Sequence, residues 1–336
     1  MVAADGRLSW GDVVVRLGPV EGAQSYEPAT NVLRTRMPAA EVVDFLPWLG
    51  DSLRPDGRVM RVVSGPFDLD VEPVNPGARV VRFSAGVAFD DTVVRTVDAG
   101  EHTVVTVGPD DEGLSLDGAM DLLDRTERAW RSWLAPMSYD GAWRAVVERS
   151  LLAVKAQPVG GVGATARATR TYAALGLDED ADAGRSRLRA LLAEAELPEL
   201  LLAALDVARA LDGDVAPEVV DCWADEWREA ERPRQRLHIA RALRLVAQAA
   251  FARNPLDLAA AAWRAEAIEI EREVVDDDEP GVVELADQHR WEDAHGQMDI
   301  MLGSLSSLGF ATAPPPDVGS QLDVVDAAVA LGVGPR

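Results

Sequence analysis

Over roughly the first 112 residues the chain alternates short apolar runs with turn formers. Valine-rich stretches such as Asp12-Val-Val-Val-Arg16 and Arg79-Val-Val-Arg-Phe83 are separated by Gly, Pro, Asn and Asp clusters. Gly108-Pro-Asp-Asp-Glu-Gly113 closes the last of them. β-Branched side chains suit a pleated surface, and this spacing predicts an antiparallel β-sandwich over residues 1–114. The period changes at Ser115. From Leu116 to Leu134 the apolar positions Met120, Leu123, Trp130, Trp133 and Leu134 recur at helical spacing with charges between them, which predicts a linker helix within 115–137. Beyond it the pattern is helical to the C-terminus. It is strongest over 140–157, 184–211, 216–229, 236–251, 256–275, 283–308 and 320–331, and is broken at Pro158–Gly163 and Pro314–Gly319. Strands followed by helices predict two segregated domains, the second spanning 138–336.

Composition narrows the class. At 336 residues, 48% hydrophobic and 27% charged, the chain is long enough for two cores. The net charge of −24 repels phosphate backbones and argues against nucleic-acid binding. A lone cysteine, Cys222, excludes an internal disulfide or a multi-cysteine metal centre. The opening MVAADGRLSW lacks a signal pattern and no apolar stretch is long enough to span a bilayer, so a cytoplasmic location and no membrane partner are expected. One lysine, Lys155, among 33 basic residues, with abundant Ala, Val, Asp and Gly, reads as the bias of a GC-rich bacterial genome such as an actinomycete's.

Several segments together resemble the bacterial glucoamylase, glucodextranase and trehalase family of glycoside hydrolases. Ala4-Asp-Gly-Arg-Leu-Ser-Trp10 looks like its opening "DGSIDW". Pro28-Ala-Thr-Asn-Val-Leu-Arg34 with Val43-Asp-Phe-Leu-Pro47 is similar to "GTNVLET…VTDFMP". The strongest likeness is Arg125-Thr-Glu-Arg-Ala-Trp-Arg-Ser-Trp-Leu134 with Tyr139-Asp-Gly-Ala-Trp143, against "TERFWRDWL…YDGPW". Arg149-Ser-Leu-Leu-Ala-Val-Lys155 and Pro158-Val-Gly-Gly-Val162 continue it, like "RSALTLKAL…PTGAI". Weaker likeness persists through Ala262-Trp-Arg-Ala-Glu266 and from Trp291 onward, so it covers most of the chain. The resemblance implies a β-sandwich, a linker helix and a toroid of paired helices around a sugar pocket.

The departures point away from that family's chemistry. Its enzymes are longer and carry "GGxRNWDYRYCWLRDA", whose Trp, Arg and Asp clamp the terminal glucose. Here Val162-Gly-Ala-Thr-Ala-Arg-Ala-Thr169 runs straight into Arg170-Thr-Tyr-Ala-Ala-Leu-Gly176, which resembles the segment after the clamp. A toroid missing helices is expected to be an open bundle whose flanks need a partner subunit or a second copy. Inverting hydrolysis needs an acid for the leaving oxygen and a carboxylate base for water. Against the family's acid segment "IWEVRGEPRH", Glu226-Trp-Arg-Glu-Ala-Glu-Arg-Pro-Arg234 puts Arg228 at the acid. Against the base segment "LGLLAEEVDP", Leu308-Gly-Phe-Ala-Thr-Ala-Pro-Pro-Pro-Asp317 offers Ala313 and Pro314. None of the three does proton chemistry at neutral pH.

What remains is a set of candidates with competing readings. Arg228, Arg232, Arg234, Arg236, Arg241 and Arg244 crowd one segment. They serve either as guanidinium forks for a substrate carboxylate, phosphate or sulfate, or as partners of Asp225, Glu226, Glu229 and Glu231 on solvated helix faces. Glu226 and Glu229, three apart, would share a helix face and offer a displaced acid or base. His238 brings an imidazole, a group type suited to general-base work near neutral pH. Each is equally a surface or structural side chain. His289 and His295, six apart, do not make a metal pair, and no metal or cofactor is expected. Tyr139, Trp143 and Trp227, with Trp10, Trp48 and Trp223, are either remnants of an aromatic sugar platform or core. Gly160-Gly-Val-Gly163 lacks the frame of a phosphate loop.

The expected function is therefore a glycosidase-like scaffold without glycosidase activity. It would be reused as an enzyme, or as one subunit of a two-component enzyme, on a small anionic metabolite in bacterial specialised metabolism. Ring closure or elimination, such as aziridine formation by sulfate loss, is one conceivable type. The alternative is a non-catalytic glycan-binding or regulatory relative, and the third is residual α-glucosidase or trehalase activity.

Overall fold

The computed structural model describes residues 8–10, 13–17, 22–48, 59–73, 80–83, 88–89, 93–108, 114–157, 159–274, 293–298 and 318–332. The chain divides into two compact units. Unit 1 comprises Met1–Pro136, Glu148–Ala156 and Leu302–Pro316; unit 2 comprises Met137–Val147, Gln157–Met301 and Asp317–Arg336.

Among the described residues, strands fill the first part of the chain and helices the later part, as the hydrophobic period predicts. Unit 1 has two sheets, antiparallel at every pairing. One has the order β1 (Leu8–Trp10), β2 (Val13–Leu17), β7 (Phe67–Pro73), β10 (Val93–Val97). The other has β3 (Ala23–Tyr26), β4 (Leu33–Arg36), β5 (Glu41–Phe45), β6 (Val59–Ser64), β11 (His102–Gly108), β8 (Val80–Phe83), β9 (Ala88–Phe89). Helix α1 (Leu116–Leu134) starts at Ser115, whose hydroxyl accepts from the Gly118 N–H at 3.2 Å, the cap expected of serine there. Its residues Ala119, Leu122 and Leu123 bury against Val43, Phe45, Met60, Val62 and Val104. Their neighbours of opposite parity, Val42, Asp44, Arg61, Val63 and Val105, are buried as well, so the middle of this sheet is dry on both faces. Asp44 and Arg61 stand opposite each other in the β5–β6 register and close a bidentate pair of 2.6 and 2.9 Å.

Residues from three of the motif segments, 28–34, 125–134 and 149–155, meet inside unit 1 around Trp48 and Tyr26. Trp48 packs edge-on to Trp130 at 4.8 Å, Trp130 edge-on to Trp133 at 5.9 Å, and the Lys155 ammonium lies 5.6 and 5.5 Å from the Trp48 and Trp133 rings. Thr126 Oγ1 accepts from the Trp48 N–H at 3.1 Å. Arg149 donates to the Thr30 carbonyl at 2.9 Å and to Asn31 Oδ1, and stacks 3.8 Å from the Tyr26 ring centre. Burial pushes the Arg149 guanidinium down to about 10 and the Tyr26 phenol up. The turn Glu27–Thr30 presents these acceptors; it is closed by Thr30 N–H to the Glu27 carbonyl at 3.1 Å, with Pro28 second and Ala29 third at φ +57°. The resembled motif has glycine where Ala29 stands, and a left-handed residue is where glycine costs least. Trp48 is thus core rather than a sugar platform.

Unit 2 is helical. α2 (Arg144–Ala156) crosses the division between the units, and α3 (Val162–Ala174), α4 (Asp178–Leu192), α5 (Leu197–Ala210), α6 (Pro217–Glu226), α7 (Pro233–Arg253) and α8 (Leu258–Glu273) follow; residues 293–298 (α9) and Val318–Gly332 (α10) are also helical. Three boundaries depart from the periodicity. The run 184–211 is two helices, because Pro198 belongs at the start of a helix and α5 begins there. The run 216–229 ends its α-helix at Glu226 and tightens into a 3₁₀ turn, Trp227–Glu229. α3 escapes the apolar periodicity because alanine and threonine dominate it, yet Thr165, Ala166, Ala168, Thr169, Thr171 and Tyr172 are all buried. α10 is fastened to α3 by Arg167–Asp323 and by Arg170 and Thr171 on Asp326. Trp10 lies in β1, where side chains are outside the described residues, as are His289, Ala313 and Pro314.

Candidate functional site

Seven of the nominated side chains gather at the α6–α7 junction, but as a surface and a core rather than as a pocket. Trp227 is 1% exposed and its indole N–H donates to Glu266 Oε1 at 2.7 Å. The Arg228 guanidinium lies 4.1 Å over the Trp227 ring, and Arg236 is 5.9 Å from it. Arg236 donates to the carbonyls of Ala230 and Arg228 at 2.9 and 3.1 Å, which ties the 3₁₀ turn to the first turn of α7. Trp227 is therefore an anchor with its faces covered and cannot stack on a sugar.

Arg228 departs from the expectation of a desolvated guanidinium at a pocket centre. Its side chain is 56% exposed and pairs with Glu273 at 3.1 Å, an interaction that solvent leaves weak. The partner is on α8, not Glu226 or Glu229. Those two are exposed, and since α6 closes at Glu226 they do not form one α-helical face. Arg232, exposed, is the residue before α7; Arg234 and His238 are half-buried on its first turns. Tyr139 and Trp143 stand ahead of α2. Tyr139 is buried, with its carbonyl accepting from Arg144 at 2.7 Å, and Trp143 is half-buried, its ring tilted 5.7 Å from His295. Trp223 is core, donating to the Leu200 carbonyl at 3.1 Å. The start of α3 is taken by a carboxylate of the chain itself: the Val162 N–H donates to Glu199 Oε1 at 2.6 Å.

A cavity of about 790 Å³ lies elsewhere in the same unit, where α4, α5, α6, α7 and α8 come together. Leu192, Leu200, Leu211, Val246 and Trp263 make its apolar wall. Arg189, Asp214, Glu218, Arg253 and Asp257 bring charge to it. The α5–α6 connection shapes it. α5 ends with Gly213 N–H on the Ala208 carbonyl at 2.8 Å and Asp212 N–H on the Arg209 carbonyl at 3.3 Å, and Asp212 takes the left-handed position at φ +51°. A Cβ on Gly213 would stand 2.7 Å from the Ala249 methyl, so the connection rests directly on α7. It delivers Asp214 between two arginines, Arg253 at 2.8 Å and Arg189 at 3.3 Å. The hydrogen bond from Arg253, then the pair with Arg189, hold the Asp214 carboxyl below the usual carboxylate range. Asp257 is spent as the cap of α8, accepting from Ala260 N–H at 3.0 Å.

Chemically, an ionised Asp214 of lowered basicity makes a salt-bridged binding group better than a proton acceptor. None of the nominated residues lines the cavity. It abuts the N-terminus of α6, whereas Glu226 ends that helix nine residues, or about 13 Å, further on. No sequence signal pointed to Arg189 or Arg253, each one arginine among many, and Asp212-Gly-Asp214 reads only as a turn. Among the described residues no group of histidine, cysteine or carboxylate side chains could hold a metal ion, and no helix is long and apolar enough to cross a membrane. Comparison with protein-family models, with curated proteins and with solved structures finds no match.

Proposed function

We propose that this chain is a shortened relative of the glucoamylase, glucodextranase and trehalase scaffold, a β-sandwich followed by an incomplete helical toroid, that has lost glycosidase chemistry. It acts on a small anionic metabolite, as an enzyme or as one subunit of a two-component enzyme. The scaffold reading is supported by the order of strands and helices and by the motif residues that interlock in unit 1. The observation that carries the loss of hydrolysis is Arg228. It stands at the position that the resembled motif gives to the acid, and it is a half-exposed arginine paired with Glu273. A glycosidase acid is set in a buried, apolar pocket, whereas Glu226 and Glu229 are exposed.

Reactions that need positioning and charge but no activated water, such as elimination or ring closure with loss of sulfate, suit what remains. The unit 2 cavity, an open hollow where an apolar wall meets charged side chains, is where such a metabolite would bind. A second reading, a non-catalytic glycan-binding or regulatory protein, is favoured by one fact: the cavity carboxylate Asp214 is held ionised and is a weak base. A thermal-shift panel separates the two. Oxyanion-bearing metabolites (carboxylates, sulfate and phosphate esters) should raise the melting temperature while trehalose and maltose leave it unchanged. Stabilisation by the disaccharides and not by the anions would overturn the first reading in favour of the second.

A further inference from the structure

We propose that Arg189 and Arg253 form an anion-binding fork at the unit 2 cavity, and that its ligand joins one oxyanion group, a sulfate or a carboxylate, to an apolar body. This rests on the reading that the metabolite is anionic, and it assigns that anion to the cavity and not to the arginines of the α6–α7 junction. Each guanidinium carries five N–H donors in a planar fork. Arg189 gives one to Asp214 Oδ2 and Arg253 one to Asp214 Oδ1, and neither has another partner among the described residues. Both side chains are more than half exposed, so donors remain free for a second oxyanion. Asp214 holds the two forks to one point while leaving the trio with one positive charge.

The backbone fixes the place of Asp214, the point at which the two exposed guanidinium groups meet. Asp212 is left-handed, Gly213 touches α7, and Asp214 N–H closes on the Leu211 carbonyl at 2.8 Å. Such preorganisation lowers the ordering cost of binding. Beside the fork, Leu200, Val246 and Trp263 line the cavity with apolar surface that suits an apolar body. Two acids remain on the cavity. Asp257 is turned to its helix cap, and the exposed Glu218 on the first turn of α6 opposes the anion, which makes it a second lever on affinity.

The test is calorimetric titration of the full chain with hexyl sulfate, methyl sulfate and hexanol, at about 0.1 M salt so that long-range repulsion from the acidic surface is screened. Each added methylene that is buried strengthens binding about fourfold, so hexyl sulfate should bind at least tenfold more tightly than methyl sulfate. It should also bind at least tenfold more tightly than hexanol. Arg189→Ala with Arg253→Ala should weaken hexyl sulfate at least tenfold, and Arg228→Ala should leave it unchanged. Because these side chains lie at the surface, the variants should keep the wild-type circular dichroism. Hexyl sulfate binding that survives the double substitution and disappears with Arg228→Ala would overturn the cavity assignment while leaving the anionic reading intact. Hexanol binding as tightly as hexyl sulfate would overturn the oxyanion assignment. No binding of either sulfate, together with no stabilising anion in the thermal-shift panel, would sink the anionic reading itself.

Discussion

At the scale of single residues, the chain spends its most distinctive side chains on holding unit 1 together. Arg149 is the clearest case. It grips the Thr30 carbonyl and Asn31 Oδ1 from more than a hundred residues away, over the Tyr26 ring. Sequence marks each half as part of a motif, but nothing in either half says that they touch, because the contact exists only after the sheet is paired. The turn that presents those acceptors has Ala29 at φ +57°, a conformation costing an L-residue about 1–2 kcal/mol. Ala29→Gly should remove that strain and give back part of it through the greater freedom of glycine in the unfolded chain. The expected net is a stabilisation of about 0.5–1 kcal/mol, seen as a higher urea midpoint at unchanged slope. A destabilised variant would show that the Ala29 methyl packs usefully and that the turn is not strained. The candidate site was far less legible than this motif network. Trp227 and Tyr139 read as well for a sugar platform as for a core, and only their burial separates the two. Arg228 was legible as an anomaly, but its partner Glu273 on α8 was not.

Among elements, the periodicity located those with strong apolar contrast and missed the one without it. α1, Leu116–Leu134, lies inside the predicted 115–137, since its charged face and apolar face differ sharply. α3 is invisible to that criterion, yet it is among the most buried helices of unit 2. Its small side chains let α4 approach closely: a Cβ built on Gly184 of α4 would come within 2.2 Å of Thr169 Oγ1 and 3.1 Å of Thr169 Cβ. Threonine is branched at Cβ and cannot swing both atoms away. Gly184→Ala should therefore destabilise by about 1–3 kcal/mol through overpacking, even though alanine is the better helix former by about 1 kcal/mol. Chemical denaturation measures the sign directly. A more stable Gly184→Ala would mean that α3 and α4 can separate without cost. The same logic explains the helix breaks. Pro198 and Pro233 start helices, while the 3₁₀ turn after Glu226 is set by a tertiary contact, Arg236 on two carbonyls, that no local propensity encodes.

For the whole molecule, the net charge of −24 and the sparse exposed apolar side chains pull in different directions. Leu256, on the α7–α8 connection, and Leu258, the first residue of α8, are both 85% exposed and flank Asp257 at the cavity. Leu202 on α5 is 68% exposed. A shortened toroid is proposed to cover such surface with a partner subunit or a second copy, and cavity and partner surface then adjoin on α8. The central claim, however, concerns chemistry: the scaffold is kept and the hydrolysis is gone. The direct measurement is glucose release from trehalose, maltose and isomaltose by the purified chain, with Glu226→Gln and Glu229→Gln beside it. The account predicts no release above a buffer blank for any of the three proteins. Turnover by the wild type that disappears on either substitution would place a working acid at the exposed end of α6 and contradict it.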